Sequence, residues 1–245
     1  MNSDLTTARV GLGRAGVSLP THQQLAMAAD HALARDAVHA QFDPVGLQGE
    51  LQAAGIDSLV VSTRAQDRAT YLRHPDAGRH LADDHGLGEI PGKCDVAVII
   101  SDGLSATAAA HHAVSLVIAL KAALSDFSMT PVIIAPFARV GLLNDVGSAT
   151  RARSAAIILG ERPGLSAPDS LSLYFEVNPA AGLTDADRNC ISNIRPSGLP
   201  LDIAAIHAAS LIATGLRQGL SGTSLKVEYD DTATLPPRDR TALDG

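Results

Sequence analysis

Hydrophobic and polar positions change rhythm along this chain of 245 residues. In the first third the spacing is helical. Leu25, Ala28, Ala29, Ala32 and Leu33 share one face of a helix running from Thr21 to about residue 40. Thr21 followed by Gln24 reads as a capping box at its start. A shorter helix is predicted over 43–54, a strand over 58–63 (SLVVST), and helical spacing again over 66–84, interrupted at Pro75. Pro91 and Gly92 then punctuate the chain.

From Asp95 strands and helices alternate. DVAVIIS at 95–101 is a continuous apolar run, as in a strand covered on both faces. An Ala-rich helix over 105–127 follows, with Ser105 as its N-cap. PVIIAPF (131–137), AAIIL (155–159) and LSLYFEV (171–177) are further strands. A short helix is predicted within 141–153, and a closing helix over 201–220 carries Ile203, Ile206, Leu211 and Ile212. Alternation of this kind implies parallel pairing through crossovers. The expected fold is α/β: a doubly wound, mostly parallel, Rossmann-like sheet with an N-terminal helical region. The chain divides accordingly into a mainly helical part (1–92), a Rossmann-like domain (93–226) and a polar tail (227–245).

In an open parallel sheet, ligands bind outside the carboxyl ends of the strands. Three strands here end in Gly paired with a charged or hydroxyl residue: Ser101-Asp102-Gly103-Leu104-Ser105, Ala138-Arg139-Val140-Gly141 and Gly160-Glu161-Arg162-Pro163-Gly164. Glycine lets backbone approach a ligand, and the helix start at Ser105 is a candidate phosphate seat. Ordinary turn chemistry is the competing reading. Three such loops at one edge favour a binding crevice.

Composition narrows the ligand class. Lys and Arg number 19 against 26 Asp and Glu, for a net charge of −7. With three Tyr, four Phe and no Trp, neither a phosphate-binding field nor a base-stacking surface is expected. Mean hydropathy of +0.13 allows a sizeable core. Two distant cysteines, Cys94 and Cys190, exclude a disulfide scaffold and point to a reduced, cytoplasmic setting. The first 20 residues lack the pattern of a secretory signal, and the apolar stretch 105–127 is interrupted by His111, His112 and Lys121, so no membrane span is expected.

Other motifs are weaker. Gly11-Leu12-Gly13-Arg14-Ala15-Gly16 fits G-x-G-x-x-G but lacks the strand before it and the helix after it, so it reads as a loop. Asp83-Asp84-His85-Gly86-Leu87-Gly88 fits D-x-H-x-x-G, by which some cobalamin proteins supply a histidine to cobalt. It precedes the first clear strand instead of following it, so His85 reads as a surface residue. His111 and His112 have no acidic or Cys partner at i+4, and no metal site is expected there. Cys190 has no neighbouring histidine and reads as a packing residue, and Asp185 and Asp187 as a solvated turn or helix start.

The segments ARVGLGRAG (8–16), SDGLSA (101–106), ARVG (138–141), GERPGL (160–165) and LTDADRNCISNI (183–194), with the helix after Pro200, occur in one order. Together they resemble the small subunit of adenosylcobalamin-dependent ethanolamine ammonia-lyase, over roughly residues 8–225. The resemblance implies a radical conversion of ethanolamine to acetaldehyde and ammonia. It also implies a TIM-barrel large subunit as partner, contacted by the N-terminal region, in a hetero-oligomer that is a trimer of (αβ)2 dimers. The cofactor implied is adenosylcobalamin, bound base-on between the subunits. Its contacts carry over to Val140, Glu161 and Cys190, with Asp102, Gly103 and Ser105 as lesser candidates on the nucleotide loop. No catalytic residue is expected on this chain. A long N-terminal extension in some relatives is associated with bacterial microcompartments. Few residues precede the first motif here, so a free cytoplasmic enzyme is expected, with a microcompartment as the other location. The alternative class is a non-catalytic, doubly wound regulatory domain that binds a nucleotide or phosphate.

Overall fold

A computed structural model describes residues 12–87, 93–164 and 167–226. The first long helix, α1 (Thr21–His39), follows Pro20, and the capping box predicted there does not form. Thr21 lies inside the helix, proline supplies no side-chain acceptor, and Gln24 donates backward to the Leu19 carbonyl instead (3.2 Å). α2 (Pro44–Ala53) falls within the predicted 43–54 and is capped: Asp43 accepts from Gly46 N at 2.9 Å, and Pro44 occupies the first turn, where its missing N–H costs nothing. The predicted helical stretch 66–84 resolves into a short α3 (Arg68–Arg73) and a 3-10 turn at Pro75–Arg79.

Six strands form one sheet: β1 (Ser58–Val60), β2 (Val96–Ser101), β3 (Val132–Ile134), β4 (Ser154–Gly160), β5 (Leu171–Val177) and β6 (Asn189–Ile194), in the order β1-β3-β2-β4-β5-β6. The first four in that order run parallel. β5 and β6 are antiparallel to their neighbours, which corrects the doubly wound, mostly parallel expectation: the sheet is mixed. The reason is the connections. A parallel return needs a crossover of a dozen or more residues, commonly a helix, whereas the described residues linking β4 to β5 and β5 to β6 hold no α-helix. β1 belongs to the sheet although it precedes residue 92, so that boundary does not divide the sheet from what comes before it.

Helices cover both faces. α4 (Ala106–Ala123), α6 (Leu201–Gln218) and α2 pack on the face carrying Val96, Val98, Ile100, Ala156, Ile158 and Phe175. α5 (Leu142–Thr150) and parts of 61–87 pack on the face carrying Ala97, Ile99, Ile133, Ala155 and Ile157. Two covered faces explain the unbroken apolar runs, and every residue of β2 and β4 is buried. By length and mean hydropathy (1.3) α4 is apolar enough to cross a membrane, but seven of its residues are buried in this core. The predicted tail 227–245 lies outside the described residues.

Candidate cofactor-binding site

α4 and α5 follow the neighbouring strands β2 and β3 yet pack on opposite faces. At such a divergence the strand ends leave a crevice. An open cleft of about 480 Å³ lies there, lined by Gly103 and Leu104 after β2, Arg139 and Val140 after β3, and Gly160, Glu161 and Arg162 after β4. Its far wall comes from β5 and β6 through Ser172, Tyr174, Cys190 and Ser192. A larger hollow, about 740 Å³, opens at the ends of β1 and β3, but none of the six candidate residues lines it.

The floor is held by backbone contact. A Cβ on Gly103 would sit 2.3 Å from the Gly160 carbonyl, and one on Gly160 would sit 2.1 Å from the Ser105 carbonyl. Leu104 N donates to Gly160 O at 2.9 Å. These glycines therefore let two loops of the chain approach each other, where the sequence suggested approach to a ligand. The helix start is likewise occupied. Ser105 is fully buried; its Oγ accepts from Ala108 N and donates to Pro168 O at 2.7 Å. The expected phosphate seat is closed from within.

Asp102 is also structural. Its side chain is 1% exposed and accepts from Phe137 N (2.7 Å), Ser101 Oγ (3.0 Å) and the Arg68 guanidinium (3.0 Å). Burial pushes its carboxyl above the usual value, and the amide and the arginine oppose that shift. The bond to Phe137 N steadies a turn in which Phe137 adopts φ +58°. Arg68 also donates to Gly103 O (2.6 Å) and to Val38 O in α1 (2.6 Å), joining that helix to the strand end.

On the wall, Glu161 accepts from Ser172 Oγ and from Asn193 N (2.9 Å). Pairing between β5 and β6 slips opposite Ser172, and Asn193 has φ +57°. That bulge turns the Asn193 amide toward the carboxylate. Cys190 stands opposite Tyr174 in the ladder. Burial raises the Cys190 thiol above its usual value, and the Glu161 charge adds to the shift against hydrogen bonds with Tyr174 and Ser172. The protonated thiol is a poor nucleophile. Burial likewise pushes the Tyr174 phenol up to about 12. At the opposite rim two guanidinium groups stack on the Tyr71 ring, Arg139 at 4.3 Å and Arg68 at 5.0 Å from its centroid.

Sequence comparison decides the family. The profile described as ethanolamine ammonia-lyase light chain (EutC) matches residues 2–226. This chain belongs to the ethanolamine ammonia-lyase light-chain family. A protein of Ralstonia nicotianae named ethanolamine ammonia-lyase small subunit is 47% identical over 231 residues, covering 91% of this chain and 85% of the relative. Proteins of the same name from Pseudomonas fluorescens (strain SBW25) and Azotobacter vinelandii are each 45% identical, covering 84% and 87% of those relatives.

Within this light chain the fold brings Gly103, Val140, Glu161 and Cys190 onto one cleft and places Asp102 and Ser105 in the packing beneath it. Tyr71, Ser172 and Tyr174 line the cleft without a sequence signal, and Ser192 lies in the 183–194 segment already singled out. Tyr174 and Ser172 become visible only once β5 is known to lie beside β4; Arg139 stood next to Val140 in a segment already singled out. His85 is half-buried, and its ring nitrogen accepts from Leu87 N at 2.9 Å. The Gly13–Gly16 part of the glycine motif is a loop, and Gly11 lies outside the described residues.

Proposed function

We propose that this light chain supplies one half of an adenosylcobalamin site and that the large subunit supplies the other half and the reacting groups. The observation that carries the reading is the convergence of Val140, Glu161 and Cys190, distant in sequence, on a single open cleft. The cleft fits a bulky, mostly uncharged ring system. It is open to one side, it offers Leu104 and Val140 as apolar contacts, and its carboxylate, Glu161, is oriented by two donors. When bound, adenosylcobalamin supplies the radical chemistry that converts ethanolamine to acetaldehyde and ammonia.

The residues of this chain position and shield. Val140 and Leu104 exclude water from the face they touch. Glu161 keeps acceptor capacity for amide or ribose donors of the cofactor. Cys190, protonated, lines the wall without forming a covalent bond. In this reading the cofactor keeps its own base on cobalt: His85 does not line the cleft, and its Nδ1 accepts from Leu87 N.

The large-subunit partner, a TIM-type barrel, meets the N-terminal region in a trimer of (αβ)2 dimers. Leu25 (66% exposed) and Leu33 (56%) on α1, with Val17 (98%) ahead of it, are the apolar residues available for that contact. Cys94 and Cys190 are both free, which accords with a cytoplasmic enzyme. The regulatory, phosphate-binding alternative loses its main support, because the α4 start is capped by Ser105 and covered by Gly160 and Pro168.

Mixing the chain with large subunit, adenosylcobalamin and ethanolamine tests the reading. Acetaldehyde is expected only from the complete mixture. A complex that forms and binds cobalamin without producing acetaldehyde would sink the assignment.

A further inference from the structure

The histidine pair dismissed on sequence spacing has a partner in the fold. His111 and His112 lie on α4, and Asp169 approaches from the β4–β5 connection. His112 Nε2 stands 3.4 Å from Asp169 Oδ2. The His111 and His112 rings meet edge to face with centroids 5.8 Å apart. One ligating atom from each of the three side chains falls within 4.8 Å of the others.

We propose that His111, His112 and Asp169 form a site for a divalent transition metal of the zinc class. This site lies outside the cofactor cleft and does not depend on the cobalamin reading. Two imidazoles and one carboxylate are a nitrogen–oxygen set suited to zinc; calcium and magnesium prefer oxygen alone. Tetrahedral zinc with bonds of about 2.0–2.2 Å needs ligand atoms roughly 3.4 Å apart. The His112–Asp169 pair is already there. His111 is exposed, so its ring can swing inward by side-chain rotation alone. Water completes the fourth position.

The framework is fixed on both sides. Two ligands stand on a core helix. The third follows Pro168, whose carbonyl accepts from Ser105 Oγ at 2.7 Å, so the backbone beside Asp169 is tied to the start of the same helix. A metal here clips the β4–β5 connection to α4. That connection begins at Glu161, on the cofactor cleft.

The test uses the two-subunit complex, stripped by chelator and free of cobalamin, titrated with Zn2+ by calorimetry. His112→Ala, Asp169→Asn and His111→Asn are compared with the parent, with circular dichroism confirming the fold. One Zn2+ per light chain is expected. Affinity should fall by more than about tenfold in each variant, since even outer partners of metal ligands carry that much. Co2+ in place of Zn2+ should give the intense visible bands of a tetrahedral site in the parent and lose them in the variants. Zn2+ affinity unchanged by His112→Ala or by Asp169→Asn would overturn the site, as would the absence of stoichiometric uptake by the parent complex.

Discussion

α1 and α4 are helices of nearly equal length, 19 and 18 residues, with opposite fates. Seven residues of α4 are buried against the sheet and α6, while α1 buries Ala37 alone. Both carry apolar residues at helical spacing, so spacing alone does not tell a helix that faces its own core from one that faces elsewhere. The contrast teaches that an amphipathic pattern locates a surface to be covered and does not say which chain covers it.

The largest effect expected from disturbing the covered side concerns Arg188. Its guanidinium is 5% exposed and bonds Glu176 (0% exposed) at 2.7 Å, Asp185 at 2.8 Å and Asn144 Oδ1 at 2.7 Å. Burial raises the Glu176 carboxyl, and Arg188 opposes the shift. Arg188→Ala strands that carboxylate and should cost about 3–5 kcal/mol in urea unfolding. A loss below about 1 kcal/mol would show that the pair is dispensable.

Next comes the direct comparison of the helices. Leu116→Ala in α4 should cost about 2–5 kcal/mol of stability. Leu33→Ala in α1 should stay within about 0.5 kcal/mol. Leu25→Asp with Leu33→Asp should leave unfolding of the isolated chain equally unmoved and weaken its co-elution with the large subunit. If assembly survives the double substitution, α1 is not the contact surface.

At the cleft, Glu161→Ala should weaken cobalamin binding by about tenfold, the worth of one hydrogen bond to a charged group. An unchanged dissociation constant in a spectroscopic titration removes Glu161 from the site. Glu161→Gln removes a negative charge beside Cys190, so the thiol should ionise more readily and react faster with an alkylating reagent near pH 8; an unaltered rate would contradict the placement of the two groups.

The smallest effect is acid sensitivity at Asp95. Its carboxyl lies below the usual 3.8, first because Ser128 N donates to it, then through Ser128 Oγ and Arg153. A lowered folded value adds stability that is full above the unfolded value and lost as pH falls through the folded one. Asp95→Asn should therefore flatten the stability profile below about pH 4, by less than about 1 kcal/mol for so exposed a pair.

Much of the fold was legible because its signals are local. Asp43 and Ser105 cap the helices they precede, and the buried runs at β2, β3 and β4 are strands. Strand direction was not legible: nothing in the pattern of LSLYFEV distinguishes a strand parallel to its neighbour from one antiparallel to it. β6 escaped notice because its bulge breaks the alternation that marks a half-covered strand. The run at Asp185 and Asp187 read as a solvated turn because the partner of the neighbouring Arg188, Glu176, lies on β5 and is remote in sequence. The position of the cleft was legible from the three loops, but the purpose of their glycines was not. Gly103 and Gly160 answer to each other across the floor, and only their spatial adjacency shows it.

Arg68 holds the carbonyl of Val38 with one nitrogen and the tip of β2 with another. That places a single stiff strut between an outlying rod and the rim of the basin. The position of the rod and the shape of the rim thus share one side chain, and a partner that seats the first meets the second through it.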